Sequence, residues 1–318
     1  MSMLLPVLLF AAGLAVIIKC SDLFVDAACW MSTVTGISRA VIGATIVSFA
    51  TTAPEYFVSL VGVMKGHYDL SIGNAVGSLS ANLGMALAVL AIFSPGIVGD
   101  RLFGIKGLIM IFAAGLLLVF CMDGRVSIIE GLILLVIFAV SIFINLKYSK
   151  EDDIEEYCPP GEAGRTGKDI ALNVGKFVLG AGGIIFGSNL LVDNGVVIAE
   201  FLGVSEAVIG LTFIAIGTSL PEIITSVAAI VKKQSAISIG NIVGANIIDT
   251  TLILSTGAFL SGGHLAVSAT TVSIDLPVTL GLMAIAVLPV LIWKKLFRTQ
   301  GIVMAAAYIS YLVFITVF

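Results

Sequence analysis

Two glutamates, Glu55 and Glu222, lie in the middle of long apolar segments, and each directly follows a proline. Neither segment contains a lysine or arginine that could neutralise its glutamate. A carboxylate at bilayer depth costs roughly 2.5 to 3.5 kcal/mol even on the lenient insertion scale, so such a group is by default part of a functional site. The simplest missing partner is a cation that moves.

Hydroxyl groups accompany both glutamates. Thr51 and Thr52 precede Glu55 by four and three residues, and on a helix these spacings place side chains on one face. Thr218 and Ser219 repeat the arrangement before the second glutamate. Hard cations such as Ca²⁺ bind carboxylate, carbonyl and other oxygen ligands. The two segments therefore predict two oxygen clusters suited to a cation.

The prolines, Pro54 and Pro221, predict a break in each helix. Proline has no N–H and its ring crowds the carbonyl four residues earlier, so the carbonyls of Ala50 and Gly217 should lose their helical partners. Irregular backbone within a membrane is tolerated only inside protein or along a watery cavity. We therefore expect both breaks to lie in the interior.

Composition places these segments in a membrane. The chain is 59% hydrophobic and 11% charged, with a mean hydropathy of +1.16, whereas soluble domains carry roughly 25% charged residues. Apolar stretches long enough to cross about 30 Å of hydrocarbon predict ten spans, near residues 2–18, 40–64, 70–98, 107–122, 126–146, 174–192, 207–231, 235–260, 276–293 and 300–318. The sequence thus predicts an all-α membrane protein with ten transmembrane helices.

The basic residues predict the orientation. With the N-terminus outside, all but Lys65 and Arg125 of the 16 lysines and arginines fall in or beside inner connections. We expect a multi-pass plasma-membrane protein with both termini outside and a cytoplasmic linker over residues 148–167. Its acidic run has no EF-hand spacing, and the cysteines form no CxxC pattern. His67 and His264 lie in outer connections and are expected to be surface residues rather than proton relays.

An internal repeat organises the chain. Residues 37–82 align with residues 204–249 at a constant offset of 167 without a gap. Five spans per half is an odd number, so the halves, residues 1–147 and 168–318, must enter the membrane in opposite directions. Inverted repeats with interrupted helices, here helices two and seven, are typical of secondary transporters. Duplication for helix packing alone would explain the glycines but not the buried acids.

A polar stripe follows each broken helix. In the first half the stripe consists of residues at steps of four, namely Asn74, Ser78 and Asn82. Their counterparts in the second half are Asn241, Ala245 and Asp249. A membrane helix turns such a stripe inward. For Asn74 and Asn241, hydrogen bonding to the broken backbone is at least as good an interpretation as ligation. Asn82 and Asp249 are assigned to the cation site or its edge.

The stretches GATIVSFATTAPE with SIGNAVGSLSANLG, and GLTFIAIGTSLPE with SIGNIVGANIID, resemble the two alpha repeats of the cation/calcium exchanger superfamily, most closely its prokaryotic sodium/calcium exchangers. The resemblance implies a ten-helix fold with ions held by helices two, three, seven and eight. It implies calcium ligands at Glu55, Glu222, Thr51 and Thr218. It implies sodium positions at Ser48, Thr52, Ser78, Ala215, Thr218 and Ser219, with Asn82 and Asp249 at the centre.

The chain departs from the family pattern in two informative places. Thr52 and Ala53 replace the usual Ser-Leu, which keeps a hydroxyl. Ala245 stands where the family commonly has a serine, so one sodium site should be weaker or built differently.

The predicted function is secondary active exchange of Na⁺ for Ca²⁺ by alternating access. Proton/calcium exchange, potassium-dependent exchange and transport of another divalent cation such as Mg²⁺ are the alternatives on the same fold. An intramembrane protease also uses buried acids, but the chain has no HExxH helix, and no enzyme activity is expected. The expected partners are membrane lipid and the transported cations, with no cofactor, no nucleic acid and no obligate protein partner.

Overall fold

The structure is a computed structural model that describes residues 3–35, 49, 52–97, 101–148, 166–220, 222–223, 227 and 235–317. The described residues are mostly helical. The α-helices are α1 Leu4–Thr35, α2 Ala53–Met64, α3 Tyr68–Ala81, α4 Ala88–Phe93, α5 Arg101–Phe120, α6 Ile128–Tyr148, α7 Gly167–Leu202, α8 Glu206–Ile209, α9 Ala215–Thr218, α10 Ser235–Ile248, α11 Leu254–Leu260, α12 Leu276–Trp293 and α13 Arg298–Val317.

Short irregular elements interrupt or connect these helices. A 3₁₀ turn follows α5 at Cys121–Asp123, and the described residues include π-helical segments at Asn82–Leu87, Gly210–Ile214, Asp249–Ile253 and Thr271–Asp275. Four two-residue strands are β1 Gly96–Ile97, β2 Arg125–Val126, β3 Leu265–Ala266 and β4 Lys295–Leu296.

Eight helical stretches of the described chain are long and apolar enough to cross a membrane. Two further apolar helices, Ala53–Met64 and Glu206–Thr218, are shorter. The prediction of a multi-pass, helical membrane protein is confirmed.

The helices α1 and α7 are longer than the sequence predicted. They contain 32 and 36 residues, so they are about 48 and 54 Å long at 1.5 Å per residue. Both helices extend beyond the predicted apolar spans near residues 2–18 and 174–192, because polar residues mark the edge of the membrane and not the end of a helix. Helix α1 runs through Lys19 and on to Thr35, and α7 begins at a capping box formed by Thr166 and Asp169.

Small residues let α1 and α7 approach closely. A Cβ added to Gly13 would lie 2.9 Å from the Gly187 carbonyl oxygen, and one added to Gly180 would lie 2.8 Å from the Phe24 nitrogen. Glycine at helix crossings permits this backbone contact in membranes. Gly13 and Gly180 are related by the same offset as the repeated motifs, so both ends of the crossing use equivalent positions.

The strands pair across the two halves of the chain. Strand β1 pairs antiparallel with β4, placing Gly96 opposite Leu296, and β2 pairs antiparallel with β3, placing Arg125 opposite Ala266. Each pair therefore joins a connection of the first half to a connection of the second.

Candidate cation site

The same backbone turn occurs at equivalent positions in the two halves. Thr52 precedes α2 with φ −86° and ψ 1°, and its counterpart in the repeat, Ser219, ends α9 with φ −79° and ψ 3°. Pro54 lies in the first turn of α2, where its missing N–H costs no helical hydrogen bond. Each turn thus interrupts the chain two residues before the proline position; Pro221 itself lies outside the described residues.

The turn places Glu55 in the first turn of α2, where helix backbone N–H groups favour a negative charge. The expectation of a released carbonyl at Gly217 was wrong, since a backbone N–H at the end of α9 donates to it. Ala50 lies outside the described residues.

Two π-helical segments begin at equivalent positions beside the turns. One starts at Asn82 and the other at Asp249, which is the counterpart of Asn82 in the repeat. The wider π turn displaces side chains from ordinary helical spacing, and π-bulges are frequent at functional sites. The polar stripes of the sequence did not reveal these segments, because their side-chain pattern is compatible with a regular helix.

Side-chain hydrogen bonds between described residues join the two halves at this place. Ser219 Oγ donates to Glu55 Oε1 at 3.2 Å. Thr218 Oγ1 donates to Asn74 Oδ1 at 3.3 Å, and Asn82 Nδ2 donates to Asn246 Oδ1 at 2.9 Å. The residues that the two repeated motifs contribute therefore meet in one interior site.

Glycines make this meeting possible. A Cβ at Gly73 would lie 2.6 Å from the Ala207 carbonyl oxygen, and one at Gly77 would lie 2.7 Å from the Leu211 carbonyl oxygen. Real Cβ atoms do not approach backbone oxygens so closely. The glycines of the first GNxxG motif thus allow α3 to pack directly on the Glu206–Thr218 segment.

The site is buried and rich in oxygen atoms. Glu55, Asn82 and Asp249 are each at most 1% exposed. Five side-chain oxygens have no hydrogen-bond donor among the described residues: Glu55 Oε2, Ser78 Oγ, Asn82 Oδ1 and both carboxylate oxygens of Asp249. Buried polar atoms are normally hydrogen-bonded, and carboxylate, hydroxyl and amide oxygens are the ligands that hard cations prefer. This oxygen set fits a Ca²⁺ or Na⁺ cargo.

The site contains two acidic side chains. Glu55 and Asp249 come from opposite halves, and two ionised carboxylates in this cluster would repel each other unless a cation or a proton neutralised one. The ion pairs seen in the described part of the chain involve other acids: Asp193, Glu206, Asp123 and Asp26. No group of three or more His, Cys, Asp or Glu side chains able to hold a metal occurs in the described residues. A cation here would depend on hydroxyl and amide oxygens as well as acids.

The remaining predicted residues are distributed as follows. Thr52, Ser78, Ala215, Thr218, Ser219, Glu222, Asn241 and Ala245 are all buried. Asn74 Nδ2 donates to the Glu55 backbone carbonyl at 3.1 Å, and so supports the interrupted backbone. Ser48 and Thr51 lie outside the described residues.

Sequence reasoning missed Asn246. It is fully buried and accepts the hydrogen bond of Asn82 across the two halves. Its counterpart in the first half is Leu79, so symmetry gave no signal. A polar residue one turn before Asp249 on a buried helix was the available indication.

The two histidines lie away from the site. His264 is exposed, as expected. His67 is partly exposed, and its Nδ1 lies 3.1 Å from both carboxylate oxygens of Glu206.

The helices bring acids, hydroxyls and amides from two repeated motifs into one buried cluster. This arrangement is typical of a membrane protein that binds or transports cations. The model of the family described as "Sodium/calcium exchanger protein" matches residues 5–147 and 172–317. The chain belongs to this family.

Similar proteins align with most of the chain. Inner membrane protein YrbG of Escherichia coli is 31% identical over 271 residues, covering 83% of this chain and 82% of YrbG. Sodium/calcium exchanger MaX1 of Methanosarcina acetivorans is 28% identical over 344 residues, covering 96% and 97%. A solved structure of the sodium-calcium exchanger NCX_Mj, soaked with Na⁺ and Sr²⁺, has a TM-score of 0.66 at 29% identity and covers 98% of this chain and 99% of its own.

Proposed function

We propose that this protein is a secondary active antiporter that exchanges Na⁺ for Ca²⁺ across the membrane by alternating access. The observation that carries the proposal is the buried oxygen cluster where the two repeated motifs meet, with Glu55 and Asp249 contributed by opposite halves. Membership of the sodium/calcium exchanger family supports the same conclusion and favours a transporter over an enzyme. MaX1 and NCX_Mj are both named as exchangers of these two ions.

The proposed architecture is ten transmembrane helices in two inverted five-helix repeats. Eight long apolar helices and two shorter ones among the described residues support this number. The constant offset of the repeat relates the turns at Thr52 and Ser219 and the π segments at Asn82 and Asp249, and the strand pairs each cross between halves. The halves are assigned to residues 1–147 and 168–318, with both termini outside and the linker inside.

The proposed calcium ligands are Glu55, Glu222, Thr51 and Thr218. The proposed sodium positions are Ser48, Thr52, Ser78, Ala215, Thr218 and Ser219, with Asn82 and Asp249 between the halves. The hydrogen bond from Ser219 to Glu55 supports a site that both ions share, because a proposed sodium ligand of one half contacts a proposed calcium ligand of the other.

Shared ligands account for exchange. If Ca²⁺ and Na⁺ both need Glu55 and Glu222, the two ions cannot occupy the site together, so one leaves when the other binds. A site that is empty of cations places bare carboxylates in a low-dielectric interior, which is strongly unfavourable. The empty protein should therefore change its access slowly, and coupled exchange should exceed leak.

The direct test measures Ca²⁺ uptake into proteoliposomes under an imposed Na⁺, H⁺ or K⁺ gradient, each applied separately. We expect the outward Na⁺ gradient alone to drive uptake. Uptake driven by H⁺ without Na⁺ would replace this proposal with proton/calcium exchange, and a requirement for K⁺ together with Na⁺ would make the protein a potassium-dependent exchanger.

Amide substitutions test the two central acids. We expect Glu55→Gln and Glu222→Gln each to abolish Na⁺-driven uptake, because each removes a charge that must balance the cation. Glu200→Gln, which changes an exposed glutamate on α7, is the matched control and should exchange normally. Normal exchange by either central variant would remove that glutamate from the proposed site.

A further inference from the structure

A second buried acid lies outside the candidate cation site. Asp275 ends the π-helical segment Thr271–Asp275 and is 0% exposed. Asp275 was not among the predicted site residues, because the predicted span began at residue 276. Its carboxylate belongs to the helical stretch Thr271–Trp293, which is long and apolar enough to cross the membrane.

Hydroxyl groups surround this carboxyl group. Tyr311 of α13 donates its hydroxyl to Asp275 Oδ1 at 2.7 Å, and the Thr271 side chain interacts with the same carboxyl group. Asp275 Oδ2 and the buried hydroxyl of Tyr308 have no hydrogen-bond partner among the described residues. One oxygen of the acid is therefore held, and the other is buried without a donor.

The charged groups on the neighbouring elements lie elsewhere. Lys106 of α5 is next to Gly107, which faces Val287, about three turns along α12 from Asp275. Arg298 begins α13 and donates to the Ile92 carbonyl, so it lies several turns along the helix from Tyr311. Asp69 is exposed in the first turn of α3. No ion pair with Asp275 occurs in the described part of the chain.

A buried carboxylate without a counterion must be neutralised. A metal cation would need several more oxygen ligands than the carboxyl, tyrosine and threonine groups provide. A proton needs only the carboxyl oxygen. We propose that Asp275, held by Tyr311 and Thr271, is a proton-binding site separate from the cation site.

The surroundings connect this site to α3 and to the π segment that begins at Asn82. Thr279 donates to the Asp275 backbone carbonyl at 2.7 Å and shares a hydrogen bond of 2.7 Å with Ser80 of α3. Gly84, within the π segment, lies so close to the Tyr308 ring that a Cβ there would clash. Loss of the proton would place a bare charge between α12 and α13 and disturb helices that pack on the cation site. Alkaline solution should therefore reduce transport, because it removes the proton from Asp275.

Infrared spectroscopy of the purified full-length protein detects the proton directly. The expected band is the same whichever ions the protein transports. We expect the carbonyl stretch of a protonated carboxylic acid at neutral pH, lost in Asp275→Asn and kept in the control Asp22→Asn, which changes an exposed residue of α1. Tyr311→Phe should shift the frequency of the same band, because it removes the hydrogen bond to Oδ1. This second variant decides the question if Asp275→Asn does not fold.

Two spectroscopic results would overturn the proposal. One is a carbonyl band unchanged by both variants. The other is loss of the Asp275 band at constant pH when Na⁺, K⁺ or Ca²⁺ is added, which would identify a metal cation as the occupant. In transport assays, activity should fall at alkaline pH in the wild type and not in Asp275→Asn. An equal fall in both proteins would disprove the connection to transport.

Discussion

The two halves of the candidate site use the same backbone with different side chains. The turn at Thr52 and the turn at Ser219 have nearly the same φ and ψ angles, and the π segments begin at equivalent residues. At the start of those segments the first half has the neutral Asn82 and the second half has Asp249. The repeated fold therefore supplies the geometry, while single residue differences between the halves set the number of acids in the site.

The second contrast concerns hydroxyl groups. Ser78 is buried, with a hydroxyl oxygen that has no donor among the described residues, and its counterpart Ala245 is buried with no polar group. If both positions faced equivalent ion sites, one site would lack a ligand. The halves should therefore contribute unequally to cation binding, and substitutions that make them alike should reveal by how much.

Among the substitutions that make the two halves alike, Asp249→Asn is expected to have the largest effect, because it gives the second half the residue of the first. The variant removes one charge from a buried oxygen cluster, and interactions with charged groups contribute about 1.5 to 3 kcal/mol. The Ca²⁺ concentration for half-maximal Na⁺-driven uptake should rise roughly 10- to 150-fold. Asp22→Asn, on the exposed side of α1, should leave it unchanged. An unchanged value in Asp249→Asn would exclude this acid from the site.

Glycine substitutions test the contact between the halves. A Cβ at Gly73 would meet the Ala207 backbone, whereas one at the equivalent Gly240 meets no atom of the described residues within 4 Å. Gly73→Ala should lower the free energy of unfolding by about 1 to 3 kcal/mol through overpacking. Gly240→Ala should be tolerated, because alanine favours helix. Thermal unfolding in detergent measures both, and equal stability of the two variants would contradict the close packing of α3.

A smaller effect is expected from exchanging the hydroxyl between halves. Ala245→Ser should lower the Na⁺ concentration needed for half-maximal exchange, and Ser78→Ala should raise it. Each change should be roughly two- to tenfold, as expected for one net polar interaction of about 0.5 to 1.5 kcal/mol. Na⁺ activation curves in proteoliposomes provide the measurement. If neither curve moves, these positions do not line sodium sites.

Local patterns were enough to predict which side chains meet in the candidate site. The Thr-Thr-x-Pro-Glu and Thr-Ser-x-Pro-Glu segments, with polar residues at steps of four on the next helix, indicated which side chains would gather, since helical spacing fixes which residues share a face. Hydrogen bonds do join these side chains in the structure. Ser219 donates to the Glu55 carboxylate, and Asn74 donates to the Glu55 backbone carbonyl. Asn82 donates to Asn246 of the second motif.

Features that depend on contacts distant in sequence could not be predicted. The π segments at Asn82 and Asp249 have the same residue pattern as a regular helix, and Asn246 has an apolar counterpart. The extension of α1 to Thr35 was hidden because hydropathy reports the membrane and not the helix. The strand pairs consist of two residues each, which is too short for an alternating pattern to be recognised.

In the proposed mechanism, one cluster of oxygen atoms binds both ions in turn. Equilibrium binding of radioactive Ca²⁺ to the purified protein, with Na⁺ added stepwise, measures whether the two ions exclude each other. We expect Na⁺ to displace Ca²⁺ completely from the wild type and Glu55→Gln to bind Ca²⁺ no better than a protein-free control. Calcium that stays bound in saturating Na⁺, or that binds normally to Glu55→Gln, would contradict the account.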